Sequence, residues 1–511
     1  MPTGSPFISG CYIVKDEAEM LPASLAAIGP FVDEVVVYDT GSTDGTRELA
    51  SELGARVVEG YWDDDFGAAR NRALEHCRGE WVMVVDADEI VQGDARRWRR
   101  EVRLATCDAF SVEIRSGSWG AVGRSAAFRA TRAFRRSLGR YEGALHEQVV
   151  GRWGDIDRAR TDAVVLEHHG YSPTRIVERN KGARNLAIAS AALEKARRDG
   201  VQELDSHYVD VGRSALGAGD HRKALDVFAQ IDRDTVDRAL AFQAAHPAVF
   251  CAIRIGDLDV GHEWLAFLRT AGEGEQICRT IEGRLLMAAG DYDRAASLLE
   301  TITDDVNFEG IAVSRSGAVD DLVQCLWAQE KFQDALDVLI PHVAGGQSTL
   351  EAGFVVAVAH SVPGGLDLLA RAVPEDLVKS FVGQIAAEYS LLGEAFLDAM
   401  WCAERNPTLV LAAISRYGAG LPVERAVTWS VRLRESGLAE HCPLRLIFAD
   451  DERPLTDRVV SGAVLFELGD RDCLTELSDL VAAVPDDVSA PLLDVLHSVA
   501  PQFASMVSAD A

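Results

Sequence analysis

The chain has no apolar run approaching the roughly 20 residues that a membrane-crossing helix needs. Its first ten residues, Met1 to Gly10, lack a basic stretch followed by an apolar core, which predicts no secretory signal. No two cysteines form a C-x-x-C pair. The nine are scattered, and their number is odd. This usage predicts reduced, mostly buried thiols in a cytoplasmic protein, rather than a disulfide framework or a structural zinc site. Positive charge is in short supply: 51 Lys+Arg stand against 80 Asp+Glu, a formal net charge of −29. So acidic a surface argues against nucleic acid or anionic lipid as the main partner.

Apolar residues make up 48% of the 511, a composition that folds, and the length exceeds what one ordinary core accommodates. The first ~85 residues alternate between strand and helix patterns. Phe7 to Val14, Glu34 to Tyr38, Arg56 to Val58 and Trp81 to Val85 have the short β-branched or continuous apolar character of buried strands. Glu19 to Ile28 and Phe66 to Cys77 carry helical patterns. Asp39-Thr-Gly-Ser-Thr-Asp-Gly-Thr46 is a turn-and-cap cluster that offers Ser42, Thr43 or Asp44 as cap of a further helix. Repeated βα units predict a mostly parallel α/β sheet with helices on both faces. From Asp108 to Leu166 the pattern is strand-like and irregular, with a glycine-rich loop at 116–123. A long helix is expected over Tyr171 to Asp199, with Pro173 in its first turn.

Beyond about residue 200 nearly everything has helical character, punctuated by Gly-Asp. Tyr208, Gly212, Gly219-Asp220, Ala224 and Phe228 fit a helix-turn-helix unit of tetratricopeptide type. Gly283, Gly290-Asp291, Tyr292, Ala295 and Leu299 repeat it, and Gly462 with Gly469-Asp470 repeats the glycine spacing. Small residues at fixed positions let paired helices approach, and Gly-Asp breaks the chain between them. The units from 340 to 460 are degenerate. The expected domains are an α/β catalytic domain over 1–180, a connecting helix over 181–202 and an all-α repeat domain over 203–511.

Chemistry concentrates at strand ends. The buried run Trp-Val-Met-Val-Val delivers Asp86-Ala87-Asp88 at its carboxyl end, where open α/β sheets bind ligands. Two carboxylates there suit Mg²⁺ or Mn²⁺, which take one or two carboxylates plus phosphate oxygens. Asp39 ends an earlier strand of the same sheet, and a carboxylate there can accept an N–H from a base. Val14-Lys15-Asp16-Glu17 follows the first strand. Trp62-Asp63-Asp64-Asp65 suits a helix N-terminus rather than a metal, and the basic run Arg129, Arg132, Arg135 and Arg136 suits a solvated strand face.

Four segments carry a resemblance: Ile13-Val-Lys-Asp-Glu17, Val36-Val-Tyr-Asp-Thr-Gly-Ser-Thr-Asp-Gly-Thr46, Asp64-Asp-Phe-Gly-Ala-Ala-Arg-Asn71 and Gly79-Glu-Trp-Val-Met-Val-Val-Asp-Ala-Asp-Glu89. In this order and spacing they resemble inverting family 2 glycosyltransferases of GT-A fold, in particular those joined to tetratricopeptide repeats. That subgroup includes lipopolysaccharide-core-type transferases and sublancin-type peptide S-glycosyltransferases. The match covers about residues 7–180 and is specific as a set.

The resemblance implies a role for each position. Asp39 matches the acid that contacts the uracil ring, and Val14, Asp16 and Glu17 lie in the loop flanking the base. Arg70 and Asn71 match the helix near the diphosphate, where an arginine also suits bidentate phosphate contact on chemical grounds. Asp86 and Ala87 fall by the nucleotide, Asp88 at the metal. In Gly143-Ala-Leu-His146-Glu147-Gln148, Glu147 falls at the general base and His146 at a substrate-contacting position; the competing reading of Glu147 is an ion pair with a neighbouring arginine. His168, in Glu167-His168-His169-Gly170-Tyr171, matches a metal or phosphate ligand, against a plain strand-end histidine.

The implied activity is transfer of a sugar, with inversion, from a nucleotide-diphosphate donor, UDP favoured, with Mn²⁺ or Mg²⁺ assisting. The acceptor stays open. A repeat solenoid favours an extended peptide or protein, and the repeats equally suit a partner protein or a homo-oligomer contact. The competing reading, of another class, is a repeat-based interaction scaffold with a silent GT-A-like domain.

Overall fold

The computed structural model describes residues 6–116, 127–168, 178–307 and 312–510. By compactness the chain divides into two units, the first running to Cys325 and the second from Leu326 to Ala511. The switch from strands to helices comes earlier, at Glu178.

The first unit opens with β1 (Ile8–Val14), α1 (Leu21–Ile28), β2 (Glu34–Asp39), α2 (Thr46–Glu52), β3 (Arg56–Glu59), α3 (Phe66–His76), β4 (Trp81–Val84), β5 (Glu89–Gly93), α4 (Ala95–Leu104), β6 (Ala109–Ser116), β7 (Ala127–Arg135), β8 (Gly139–Glu142), β9 (Gln148–Gly151) and β10 (Arg158–His168). Eight strands form one sheet in the order β3-β2-β1-β4-β7-β6-β10-β5. β3, β2, β1, β4, β6 and β10 run one way, while β7 and β5 run against their neighbours. The sheet is thus mixed and mostly parallel. β8 and β9 make a separate hairpin.

The βα half follows from local sequence. The apolar runs of β1, β2 and β4 are almost wholly buried, as expected of central parallel strands. α1 begins at Leu21 rather than Glu19, with a proline in its first turn, where the missing N–H is not needed. None of Ser42, Thr43 and Asp44 is the cap residue of α2. Gly45 takes that position at φ 73, a conformation that costs glycine nothing, and Asp44 Oδ1 accepts from Thr46 N at 3.1 Å. Asp65 caps α3 by accepting from Ala68 N at 2.8 Å. Trp81, Trp98 and Phe110 pack edge to face or tilted in the core on one side of the sheet.

The helical part begins with α5 (Glu178–Arg198), α6 (Asp205–Gly217), α7 (His221–Phe228), α8 (Arg238–Ile255), α9 (Leu258–Ala271), α10 (Glu275–Ala288) and α11 (Tyr292–Leu299). The glycine-rich loop expected near 116–123 and the expected start of the long helix at 171–177 lie outside the described residues, Ser116 excepted.

The pairs α6/α7 and α10/α11 show why the repeat signal has its form. Asp220 and Asp291 cap the second helix of each pair, accepting from Lys223 N and Arg294 N. A Cβ on Gly212 would sit 2.3 Å from the Phe228 ring, and one on Gly283 would sit 2.8 Å from Leu299, so each glycine marks the closest approach of its pair. In the second unit Gly462 meets Phe448 in the same way, at 2.6 Å. Where the repeat signal is weak, between 340 and 460, the chain is still helical, for example Ala352–His360, Leu391–Cys402 and Val423–Glu435. The nine cysteines are free and mostly buried. No helix among the described residues is long and apolar enough to cross a membrane.

Candidate active site

β1, β2, β4 and β10 point their carboxyl ends to one edge of the sheet, and that edge gathers the singled-out residues. Val14 lies opposite Asp39 in the β1/β2 register. Asp86 and Asp88 follow β4 directly. His168, the last described residue of β10, pairs with Glu89 at the start of β5, which brings it beside the β4–β5 turn.

The Asp39 carboxylate is buried. Its Oδ1 accepts from Gly41 N at 3.0 Å and Ser42 N at 2.9 Å, while Oδ2 is buried with no hydrogen-bond partner. A buried acceptor without a donor is costly unless a ligand supplies one. The loop after β1 is stitched to the loop after β2. Asp16, at φ 55, accepts from Thr43 N through Oδ1, its own N–H donates to Ser42 Oγ, and Glu17 N donates to Thr46 Oγ1.

A chain of alternating charge runs across the edge. Arg70 donates from Nε to Glu147 Oε1 at 2.5 Å and from Nη2 to Asp86 Oδ1 at 2.8 Å. Arg132 donates from Nη2 to Asp86 Oδ2 at 3.1 Å and to Glu89 Oε1 at 2.5 Å. Glu89 Oε2 accepts from Asp86 N at 2.9 Å. Burial works against the ionised Asp86, but Arg70 and Arg132 outweigh it and hold the carboxyl well below the usual range. Glu89 goes the other way: burial pushes it up to about 7 against the opposing pull of Arg132. Arg70 Nη1 and Arg132 Nε are buried without partners.

Glu147 reaches Arg70 because its loop docks on the start of α3. Phe66 N donates to Ala144 O at 2.8 Å and Gly67 N to Gly143 O at 3.2 Å. A Cβ on Gly67 would fall 2.5 Å from Gly143 O, so only glycine admits the approach. His146, at φ 54, has its Nε2 buried without a partner. Burial first, then the nearby Arg213, lowers the imidazole to about 4. Asn71 takes both ends of the Tyr141 backbone, donating to its carbonyl at 2.8 Å and accepting from its N–H at 2.9 Å, and so fixes β8 to α3.

Asp88 Oδ2 lies 3.2 Å from His168 Nε2. Burial raises Asp88, but the histidine's hydrogen bond and charge bring it below the usual value. The same bond first, against burial, raises His168. Among the described residues no group of three or more His, Cys, Asp or Glu is arranged to hold a metal. An O,N pair at a partly solvated edge nevertheless suits a divalent ion that takes its remaining ligands from phosphate and water.

The sequence missed two members of this site. Arg132 does not lie on a solvated face: β7 pairs antiparallel with β4, Ala133 opposite Met83, and this carries the Arg132 guanidinium to Asp86. Glu89, one residue past the Asp-x-Asp, is 1% exposed. Its position directly after two strand-end acids was the signal available. Arg129 and Arg135 instead pair with Asp162 and Glu80. Of the acids before α3, only Asp65 is the cap; Asp63 pairs with Arg72, and Asp64 accepts from Trp62 Nε1.

The profile of the family described as Glycosyl transferase family 2 matches residues 11–106, the stretch that contains Asp39, Arg70, Asp86 and Asp88. The chain carries a family 2 glycosyltransferase domain. A TPR repeat-containing protein of Synechococcus elongatus is 36% identical to it over 186 residues, 35% of this chain and 45% of that protein. Glycosyltransferase SunS of Bacillus phage SPbeta is 23% identical over 193 residues, 37% of this chain and 46% of that protein. The chain therefore matches less than half the length of either relative.

Among solved structures, TarS of S. aureus aligns at 14% identity over 50% of this chain and 54% of its own, with TM-score 0.28. Glucosyl-3-phosphoglycerate synthase from Mycobacterium tuberculosis, in complex with Mn²⁺, UDP and phosphoglyceric acid, aligns at 19% identity over 39% and 80%, with TM-score 0.26.

Proposed function

We propose that this chain transfers a sugar, with inversion, from a nucleotide-diphosphate donor, UDP in the first place, to an acceptor of peptide or protein type. The observation that carries the reading is the buried, unpartnered Asp39 Oδ2 at the same sheet edge as the Asp88–His168 pair. A ring N–H of a base gives Asp39 its missing donor. Val14, Asp16 and Glu17 flank that base, and Asp86 with Ala87 lines the path from base to sugar. Arg70, through its buried, unpartnered Nη1, is placed to meet diphosphate. Asn71 acts by holding β8 against α3, and His146 lies on the acceptor side.

Asp88 and His168 would hold Mn²⁺ or Mg²⁺, whose contribution when bound is to neutralise charge on the departing diphosphate. Glu147 is the carboxylate that takes the acceptor's proton. Arg70 occupies one of its oxygens, and turning Arg70 toward diphosphate would loosen that hold as the donor enters. The domains are read as catalytic over 1–180, connecting over 181–202 and repeat over 203–511, the last offering an extended acceptor surface.

The test is a thermal-shift panel of UDP-, GDP- and dTDP-sugars with Mn²⁺ or Mg²⁺, followed together with nucleotide release in the absence of acceptor. A ligand that binds only the folded state raises Tm. A metal-dependent shift and slow hydrolysis with one UDP-sugar, both lost in Asp88→Ala, are expected. No shift with any sugar nucleotide overturns the reading.

A further inference from the structure

Resting on the transferase reading, we propose that Arg132 of β7 is a positioning residue for the metal pair: anchored on Glu89, it locks the Asp86–Glu89 turn in the conformation that sets Asp88 against His168.

Asp86 to Glu89 form a tight turn, closed by Glu89 N donating to Asp86 O at 3.0 Å. Asp88 is the second of its central residues, so the backbone of this turn decides where the Asp88 carboxylate goes. Glu89, 1% exposed, closes the turn a second time, because its Oε2 accepts from Asp86 N at 2.9 Å. Its other oxygen, Oε1, accepts from Arg132 Nη2 at 2.5 Å, and the same Nη2 donates to Asp86 Oδ2 at 3.1 Å. One nitrogen from a strand more than forty residues away thus ties the side chains at both ends of the turn. From the opposite side Ser24 Oγ of α1 donates to Glu89 O at 2.6 Å, which holds the turn's backbone but not its carboxylates.

Glu89 also opens β5 and lies opposite His168 in the β5/β10 register. What fixes Glu89 therefore acts on both members of the Asp88–His168 pair, which stand 3.2 Å apart. The bonds of Arg132 go to Asp86 and Glu89 rather than to Asp88 or His168, so it acts through the turn. Groups that orient metal ligands without touching the metal govern affinity nearly as strongly as the ligands do. Charge and position also pull in opposite directions here. A cation beside a metal site repels the metal, so removing Arg132 would by charge alone tighten Mn²⁺ binding. Removing it as the lock on the turn weakens that binding, and the sign of the change separates the two.

The experiment titrates the full chain with Mn²⁺ at saturating UDP, followed by calorimetry and by the Mn²⁺ EPR signal, for wild type, Arg132→Met, Arg132→Lys and Arg129→Met. UDP affinity without metal is measured for each. Arg132→Met is expected to lose about tenfold or more in Mn²⁺ affinity, with metal-free UDP affinity within about twofold of wild type. A merely structural role would move both affinities together. Both bonds of Arg132 leave a single nitrogen, and lysine ends in one, so Arg132→Lys is expected to recover most of the affinity. Arg129→Met removes an ion pair with Asp162 from the same strand and is expected to bind Mn²⁺ as wild type does. Arg132→Gln, polar but too short to span both carboxylates, carries the test if Arg132→Met does not fold. The proposal is overturned if the Arg132 variant binds Mn²⁺ as tightly as wild type or more so, if its metal-free UDP affinity falls in step, if Arg132→Lys gives no recovery, or if Arg129→Met loses as much. A wild type that binds no Mn²⁺ beside UDP removes the metal pair itself and this inference with it; Mn²⁺ binding by wild type that Arg132→Met leaves intact removes the inference alone.

Discussion

Arg70 ties Glu147 to Asp86: one guanidinium, almost wholly buried, donates Nε to the first at 2.5 Å and Nη2 to the second at 2.8 Å. The three residues come from α3, the turn after β4 and the loop after β8, so this one side chain joins three segments far apart in sequence. Removing it leaves the largely buried Glu147 carboxylate without this cation, while Asp86 keeps Arg132. Arg70→Met is expected to destabilise the fold by about 3–5 kcal/mol, since breaking a buried pair leaves uncompensated charge. Arg70→Lys keeps the charge but not the fork, and should fall between. Denaturant unfolding followed by tryptophan fluorescence reads this directly. An Arg70→Met protein as stable as wild type would mean that the charge chain is not structural.

How much of this the sequence disclosed follows a physical line. β1, β2 and β4 were legible because each is an apolar run ended by an acid, and such runs have one environment, the middle of a parallel sheet. Asp39, Asp86 and Asp88 were located with them. The Gly-Asp breaks disclosed the helix pairs because cap and close approach are both local requirements. Arg132 was not legible, since its place depends on β7 lying antiparallel beside β4, a register set by distant residues. Asn71 sits in the expected helix, but its partner, the Tyr141 backbone, is 70 residues away. What escapes a reading of the chain is the long-range meeting of segments that are each locally ordinary.

The Asp88–His168 pair gives a metal prediction. Mn²⁺ affinity in the presence of UDP, measured by titration calorimetry, should fall more than about tenfold in Asp88→Asn and in His168→Gln, because each removes one of two protein donors. Metal-free UDP binding should change little, since Asp39 and the loop after β1 do not touch the pair. Equal Mn²⁺ affinity in both variants would show that the ion, if bound, is held elsewhere.

His146 sets a pH window. Its imidazole is lowered to about 4, burial being the larger cause, against an ordinary value near 6.5. Between these values the unfolded chain takes up a proton that the native state refuses, so stability falls as pH drops from about 6.5 toward 4 and is unaffected by this group above that range. His146→Asn removes the titrating ring and suits φ 54, where asparagine is tolerated. Tm measured at half-unit steps from pH 7 to pH 4.5 should decline less steeply in the variant. Parallel declines would mean that His146 is solvated and titrates alike in both states.

The repeats yield a packing prediction with an internal control. A Cβ at Gly212 would stand 2.3 Å from the Phe228 ring, itself fully buried between α6 and its neighbours. Gly212→Ala must therefore push α6 and α7 apart or force the ring off its rotamer, and overpacking of this kind costs about 1–3 kcal/mol. Gly217 is in the same helix, five residues on, with nothing within 4 Å of its Cβ position. Gly217→Ala should be neutral or slightly stabilising, because alanine loses less backbone entropy than glycine in a helix. Since α6 also packs on the loop holding Glu147, Gly212→Ala should lower sugar-nucleotide hydrolysis as well as Tm, whereas Gly217→Ala should leave both unchanged. Loss of stability with full hydrolysis would mean that the helix pair can loosen without moving the catalytic loop.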